Sequence, residues 1–124
     1  MPLGLLTPAM AAALEGTLCI TPWRSVILPG AAGRAEGLAA AGFATTADSP
    51  WTVLTACAGA PSCARTTTRT RDLAREAAPF VDVTGPAVHV IGCERSCGHP
   101  ARTHAAALNP ISAADVVAAQ HEKA

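Results

Sequence analysis

Short apolar stretches, separated by Pro and Gly, divide the chain into alternating candidate helices and strands. Helices are predicted where a capping residue precedes helix formers, as at Thr7-Pro8 and at Ser112, which has Asp115 three residues later. Strands are predicted where β-branched and aromatic residues cluster between turn residues. The predicted helices are residues 8–15, 35–41, 66–78 and 113–122, and the predicted strands are residues 17–28, 51–56 and 87–92.

The second and third predicted strands each lead into a cysteine. The second runs into Cys57, which is followed by the small, turn-prone loop AGAPS and then by Cys63. The third delivers Cys93, and Cys97 follows after three residues. We therefore expect all four thiols to lie in loops at strand ends.

Composition narrows the class of protein. A chain of 124 residues without a repeat predicts a single domain, and its core is expected to be thin because aromatic residues make up only 3%. Nine basic residues balance nine acidic ones, which argues against a nucleic-acid-binding protein. The amino terminus lacks the basic region of a signal peptide, and no apolar run approaches the ~20 residues of a membrane span. The expectation is a soluble, cytoplasmic protein.

The cysteine spacing points to metal or redox chemistry. Five cysteines in a chain expected to be cytoplasmic favour that use over a disulfide framework. Two close pairs of thiolates suit either zinc or a 4Fe-4S cluster, and the pair spaced C-x5-C fits the cluster better, because structural zinc sites use shorter loops. Ordinary free thiols and zinc remain as alternatives. Cys19, distant from both pairs, is interpreted as a small buried hydrophobic residue.

Two segments carry a resemblance to a known family. TACAGAPSCARTTTRTRDLAREAA and VHVIGCERSCGHP resemble the cluster-binding signature of the siroheme-type nitrite and sulfite reductases. The four ligands carry over as Cys57, Cys63, Cys93 and Cys97. Within that superfamily, TPWR at residues 21–24 and CGHP at residues 97–100 are most similar to the precorrin-3B synthase family.

The resemblance implies a fold and an activity. The fold would be α+β, a ferredoxin-like half-domain in which an antiparallel sheet carries helices on one face, occupying residues 1–124 with a divergent helical tail at 101–124. The family hydroxylates precorrin-3A with dioxygen in aerobic cobalamin biosynthesis, using a 4Fe-4S cluster. Its tetrapyrrole lies between two pseudo-symmetric halves, so this chain would correspond to the second half and need a partner half or subunit and an electron donor. Cys97 would lie nearest the tetrapyrrole, which could also be siroheme.

Side chains other than cysteine give weaker signals. Arg24 and His99 are candidates for contact with the substrate or for proton transfer, and His89 is interpreted as a hydrogen-bonded strand residue. Four arginines could bind substrate carboxylates, although their spacing with Asp72 and Glu76 also suits a solvated helix. They are Arg65, Arg69, Arg71 and Arg75.

The functional alternatives come from three classes. They are a siroheme-dependent nitrite or sulfite reductase component, a 4Fe-4S electron-transfer module without catalysis, and a zinc-stabilised structural domain.

Overall fold

The computed structural model describes residues 1–122 and is a mixture of α and β structure. Contacts divide the chain into two units, Met1–Ser49 and Pro50–Ala124, where the sequence predicted one domain. Among the described residues, no helix is both long and apolar enough to cross a membrane. The α-helices are Pro8–Ala12 (α1), Ala35–Ala40 (α2), Thr70–Ala77 (α3) and Ala113–His121 (α4). The strands are Cys19–Ile20 (β1), Val26–Ile27 (β2), Leu54–Ala56 (β3), Ala87–Ile91 (β4) and His104–Leu108 (β5).

The unit formed by Met1–Ser49 is built from short local elements. Helix α1 begins as predicted, with the Thr7 hydroxyl accepting a hydrogen bond of 3.2 Å from the Met10 amide. The strand predicted over residues 17–28 is instead an antiparallel hairpin of β1 and β2. Its turn is closed by a 2.9 Å hydrogen bond from the Thr21 amide to the Ser25 carbonyl. Pro22 therefore reverses the chain here rather than bending one continuous strand.

The unit that begins at Pro50 contains a parallel sheet in the order β3-β4-β5. The α+β expectation holds at the level of mixed structure, but the antiparallel direction predicted for the main sheet is wrong. Helix α3 connects β3 to β4, and residues 92–103 connect β4 to β5, so each connection returns the chain to the same end of the sheet. Helices α3 and α4 contact each other and the sheet, and both therefore lie on one face.

Small aliphatic side chains fill the interface between sheet and helices. The central strand β4 is buried along its whole length, as expected for a strand with neighbours on both sides. On the helix-facing side of the sheet many of the packed residues are alanines. Because alanine is small, the backbones of helices and strands approach closely, and few large side chains are needed to fill the interface. The buried residues include Leu54, Val88, Val90, Ala74, Ala77, Ala105, Ala107 and Val116.

Residues 101–124 were predicted to be a helical tail, but this region also contributes strand β5. The sequence HAAAL has no β-branched residue, and it forms a strand because β4 offers a paired partner over its full length. Helix α4 follows with the predicted capping box, in which Ser112 and Asp115 satisfy each other's backbone amides. The fully buried Gln120 of α4 binds the loop before β4, through the amide and carbonyl of Asp82 and the carbonyl of Pro86.

Candidate functional site

Strands β3 and β4 bring two cysteines to one edge of the sheet. Cys57 follows β3, Cys93 lies two residues after β4, and carboxyl ends of paired parallel strands share an edge. The amide of Cys57 continues the pairing by donating a 2.9 Å hydrogen bond to the carbonyl of Val90. The predicted position of both cysteines at strand ends is confirmed.

The first cysteine loop, residues 57–69 between β3 and α3, packs tightly against the start of α3. Thr70, which is fully buried, donates from its hydroxyl to the Cys57 carbonyl at 2.9 Å, and the Cys57 Sγ atom lies 3.7 Å from the same hydroxyl. Gly59 has φ of 60°, and a Cβ there would lie 2.8 Å from Thr70 N and 2.9 Å from the Thr68 carbonyl. Only glycine therefore fits at this position without movement of backbone.

The second cysteine loop, residues 92–103 between β4 and β5, contains two successive turns. The Ser96 amide donates to the Cys93 carbonyl at 3.2 Å, and the His99 amide donates to the Ser96 carbonyl at 3.3 Å. Ser96 and Gly98, on either side of Cys97, have φ of 47° and 74°. This left-handed backbone turns the chain sharply around Cys97.

The two cysteine loops are in contact. A Cβ on Gly92, the residue before Cys93, would lie 2.6 Å from Oγ1 of Thr66, three residues after Cys63. Beside this contact the Thr68 hydroxyl donates to Oδ1 of Asn109 at 3.1 Å, which links the first loop to the residue after β5. An open cleft of about 510 Å³ lies there, lined by Ala64, Arg65, Thr66, Thr67, Thr68, Gly92 and Asn109.

Within residues 1–122 the five cysteines are free thiols of differing exposure. Cys57, Cys63 and Cys93 are partly buried, whereas Cys97 is exposed. Cys19 is also exposed, so its interpretation as a buried hydrophobic residue is wrong. It lies on a two-residue strand of the hairpin, which has too little structure around it to bury a side chain.

The donor set of the two loops is four thiols, the ligand type that both zinc and a 4Fe-4S cluster take. Within residues 1–122, no group of three or more His, Cys, Asp or Glu side chains is arranged to hold a metal ion. A zinc ion and a 4Fe-4S cluster both need four thiolates gathered around one centre. Four free thiols lie in the two loops that follow β3 and β4, and four is the number that either group takes.

Three histidines lie near the second loop. His89 is hydrogen-bonded as predicted, and it is fully buried, with its two ring nitrogens close to Thr55 and to the carbonyl of Cys97. His99, a candidate for proton transfer, is exposed, and its Nδ1 lies 3.1 Å from the Pro100 carbonyl. Its ring stacks on His104, with centroids 5.5 Å apart. His104 had no predicted role and is the first residue of β5.

Arg24 and Arg69 lie outside the elements predicted for them, whereas Arg71 and Arg75 lie in the predicted helix α3. Arg24 is in the turn of the β1–β2 hairpin with φ of 58°, not within a strand. Arg65 and Arg69 precede helix α3, which begins at Thr70 and not at residue 66 as predicted. The Arg71 Nε atom is buried without a hydrogen-bond partner among the described residues.

Arg69 and Arg75 both bind Asp72, at 2.6 and 2.9 Å. The hydrogen bond from Arg69, with the positive charge of both arginines, lowers the pKa of the Asp72 carboxyl. Arg69 and Arg75 therefore serve a local ion-pair network, as the solvated-helix interpretation predicted for this spacing.

Sequence reasoning missed the threonines that support the first loop. Thr66, Thr68 and Thr70 contact, in turn, the residue before Cys93, the residue after β5 and Cys57. The available signal was the run TTTRT that follows Cys63. Because threonine hydroxyls in loops often bond to nearby backbone groups, this run could have suggested a supporting role.

Comparisons of this chain with family models, with curated proteins and with solved structures gave no match. The interpretation of the site therefore depends on the residues themselves. The geometry of the two cysteine loops is the observation that any proposal has to use.

Proposed function

We propose that this chain is an iron–sulfur redox protein that holds a 4Fe-4S cluster through Cys57, Cys63, Cys93 and Cys97. The observation that carries the proposal is the contact between the two cysteine loops. The Cys57 amide bonds to Val90 of the neighbouring strand, and Gly92 lies directly against Thr66. The paired strands bring Cys57 and Cys93 to one edge of the sheet, and a cuboidal cluster would gather the thiolates of all four cysteines there.

The residues around the thiols suit this role. Gly59 and Gly92 keep side chains out of the loops, and Thr70 holds the Cys57 backbone in place. When bound, the cluster supplies one-electron transfer. The exposed Cys97 gives the site a side that a redox partner or substrate can approach, while the other three thiols are partly buried. A reducing compartment such as the cytoplasm would keep all of these thiols unpaired.

The substrate proposed for this site is a tetrapyrrole, on the basis of the resemblance to the precorrin-3B synthases. In that proposal the chain is one component of an oxygen-dependent oxidoreductase that acts on a precorrin-3A-like substrate, together with a second half or subunit and an electron donor. A nitrite or sulfite reductase component with siroheme is the alternative from the same resemblance. Arg65, at the open cleft beside the loops, is a cation available for substrate carboxylates.

The cluster is tested by preparing the full chain anaerobically. We expect iron and acid-labile sulfide in comparable amounts, broad visible absorption and an EPR signal after reduction. Cys57→Ser, Cys63→Ser, Cys93→Ser and Cys97→Ser should each lower the iron content, because each removes one thiolate ligand. Cys19→Ser is the matched control, since Cys19 is an exposed thiol outside the two loops, and it should leave the iron content unchanged. Equal loss in all five variants would contradict the ligand assignment.

The tetrapyrrole is tested separately. Titration of the cluster-loaded protein with siroheme should change the porphyrin absorption bands if the chain carries a tetrapyrrole surface, and Arg65→Ala should weaken that binding. A loaded protein that leaves the siroheme bands unchanged would favour an electron-transfer module without catalysis. Zinc bound in place of iron, in colourless protein, would favour a structural domain.

A further inference from the structure

His89 is a buried polar side chain that the proposed function does not use. It lies in the middle of β4 and pairs with Thr55 of β3, and none of its surface is exposed. Its neighbours Val88 and Val90 are also fully buried and point to the opposite face of the sheet. A buried imidazole is tolerated only when its nitrogens are hydrogen-bonded, so the partners of His89 show what this side chain holds in place.

The hydrogen bonds of His89 fix its tautomer. Nε2 lies 3.1 Å from the carbonyl oxygen of Cys97, which can only accept, so Nε2 carries the hydrogen and donates. In a neutral imidazole Nδ1 is then the acceptor, and the Thr55 hydroxyl, 2.8 Å away, donates to it. The same hydroxyl is 3.4 Å from the Val88 carbonyl, a longer and weaker contact. His89 is therefore held on one side by the sheet and donates on the other to the second cysteine loop.

The hydrogen bond from His89 ends at the exposed, sharply turned part of the second cysteine loop. Cys97 is exposed, and the residues on both sides of it have left-handed backbone conformations. The turns that surround it are closed by backbone hydrogen bonds of 3.2 and 3.3 Å within the loop itself. The bond from His89 joins Cys97 to the central strand, eight residues earlier in the chain. It thereby connects the fourth proposed thiolate to the rigid part of the fold.

We propose that His89 is a positioning residue, which sets the place of Cys97 by donating from Nε2 to the Cys97 carbonyl. The inference deepens the proposed cluster site, and its redox readout rests on that proposed function. Its effect on the loop does not depend on a cluster. The two can therefore be measured separately.

Two polar substitutions distinguish the hydrogen bond of Nε2 from that of Nδ1. The amide nitrogen of glutamine reaches about as far as Nε2, so His89→Gln can keep the bond to Cys97. The shorter asparagine reaches only as far as Nδ1, so His89→Asn can keep the contact with Thr55 but not the bond to Cys97. Both variants place a neutral amide at the same buried position.

Hydrogen exchange of the full chain without cluster measures the loop. In His89→Asn, amides of residues 93–99 should exchange about tenfold faster, equivalent to ~1.4 kcal/mol, while amides of α4 keep their rate. His89→Gln should restore slow exchange in the loop. Equal acceleration of the loop and α4 would show general destabilisation and overturn the proposal, and so would a loop that exchanges at the wild-type rate in His89→Asn.

Cluster loading supplies the second readout. His89→Asn should lower the iron content and alter the EPR spectrum in the same way as Cys97→Ser, and His89→Gln should retain both properties of the wild type. Wild-type iron content and spectrum in a folded His89→Asn protein would contradict the positioning role. If the wild-type protein takes up no iron, the proposed function fails, and the exchange measurement alone decides the role of His89.

Discussion

The two units of the chain differ in how their structure is supported. In the unit that begins at Pro50, β4 is buried along its length and hydrogen bonds connect residues far apart in sequence. In the unit Met1–Ser49, the strands are two residues long, and the hairpin exposes Ile20, Trp23 and Ile27 at 75%, 80% and 56%. The two pairs of closely spaced cysteines lie in the unit that begins at Pro50, and Cys19 lies in the unit Met1–Ser49. A candidate site is thus found where the fold can hold side chains in fixed positions.

The largest expected effect comes from adding one methyl group at Gly59, in the unit that begins at Pro50. The control adds one methyl group in the unit Met1–Ser49. Gly59→Ala introduces a Cβ against the backbone of Thr70 at a residue with φ of 60°, so we expect a loss of roughly 3–5 kcal/mol in unfolding free energy. Gly37→Ala is the matched control, because among described atoms none lies within 4 Å of its Cβ and Gly37 is within α2. The control should stabilise by about 0.5–1 kcal/mol. Urea denaturation followed by circular dichroism measures both, and equal effects would remove the contrast between the units.

A smaller effect is expected from Gln120→Leu. This change leaves the amide and carbonyl of Asp82 and the carbonyl of Pro86 without their side-chain partner, at a cost of about 2 kcal/mol. Glu122→Gln, an exposed change at the end of the same helix, should leave stability nearly unchanged. Thermal unfolding of both proteins provides the measurement. A Gln120→Leu protein as stable as the wild type would show that buried hydrogen bonds are not what distinguishes this unit.

The smallest expected effect concerns the helix caps. Ser112→Ala should cost about 1 kcal/mol, and Thr7→Ala less, because α1 is short and its cap makes a single bond of 3.2 Å. Hydrogen bonds from the amides of Ile111 and Ser112 lower the pKa of the Asp115 carboxyl below 3.8. Its stabilising contribution is therefore complete above that pH and is lost as the pH falls through the lowered pKa.

The pH dependence is checked with Asp115→Asn. This variant should be less stable than the wild type at neutral pH, and the difference should close in acid, as measured by denaturant midpoints across the pH range. A constant difference at every pH would contradict the assignment.

Local signals predicted the local features of the fold. The caps at Thr7 and Ser112 and the strand that precedes each cysteine pair follow from neighbouring residues, and the structure confirms them. Strand direction depends on contacts between distant segments, and for this reason the parallel pairing of the main sheet was missed. Strand β5 escaped prediction because its alanines favour helix and only pairing with β4 makes it extended.

The same division applies to the candidate site. The cysteine spacing identified four thiols, but nothing in the sequence indicated that Gly92 would lie against Thr66 or that His89 would bond to Cys97. The first contact forms only when β3 and β4 pair, and the second forms only when the loop after β4 turns back onto that strand. Sequence patterns thus supplied the donor atoms, and the folded sheet supplied their arrangement.

The segment that carries Cys93 and Cys97 is also the connection between β4 and β5, and this double use has an energetic consequence. Because β4 and β5 are paired from Ala87↔His104 to Ile91↔Leu108, both ends of residues 92–103 are already fixed. The entropy cost of closing this loop therefore arises when the sheet forms, before any ligand would bind to the thiols. Uptake of the proposed cluster would therefore begin from a loop whose ends are already in place, with more of the binding free energy left for affinity.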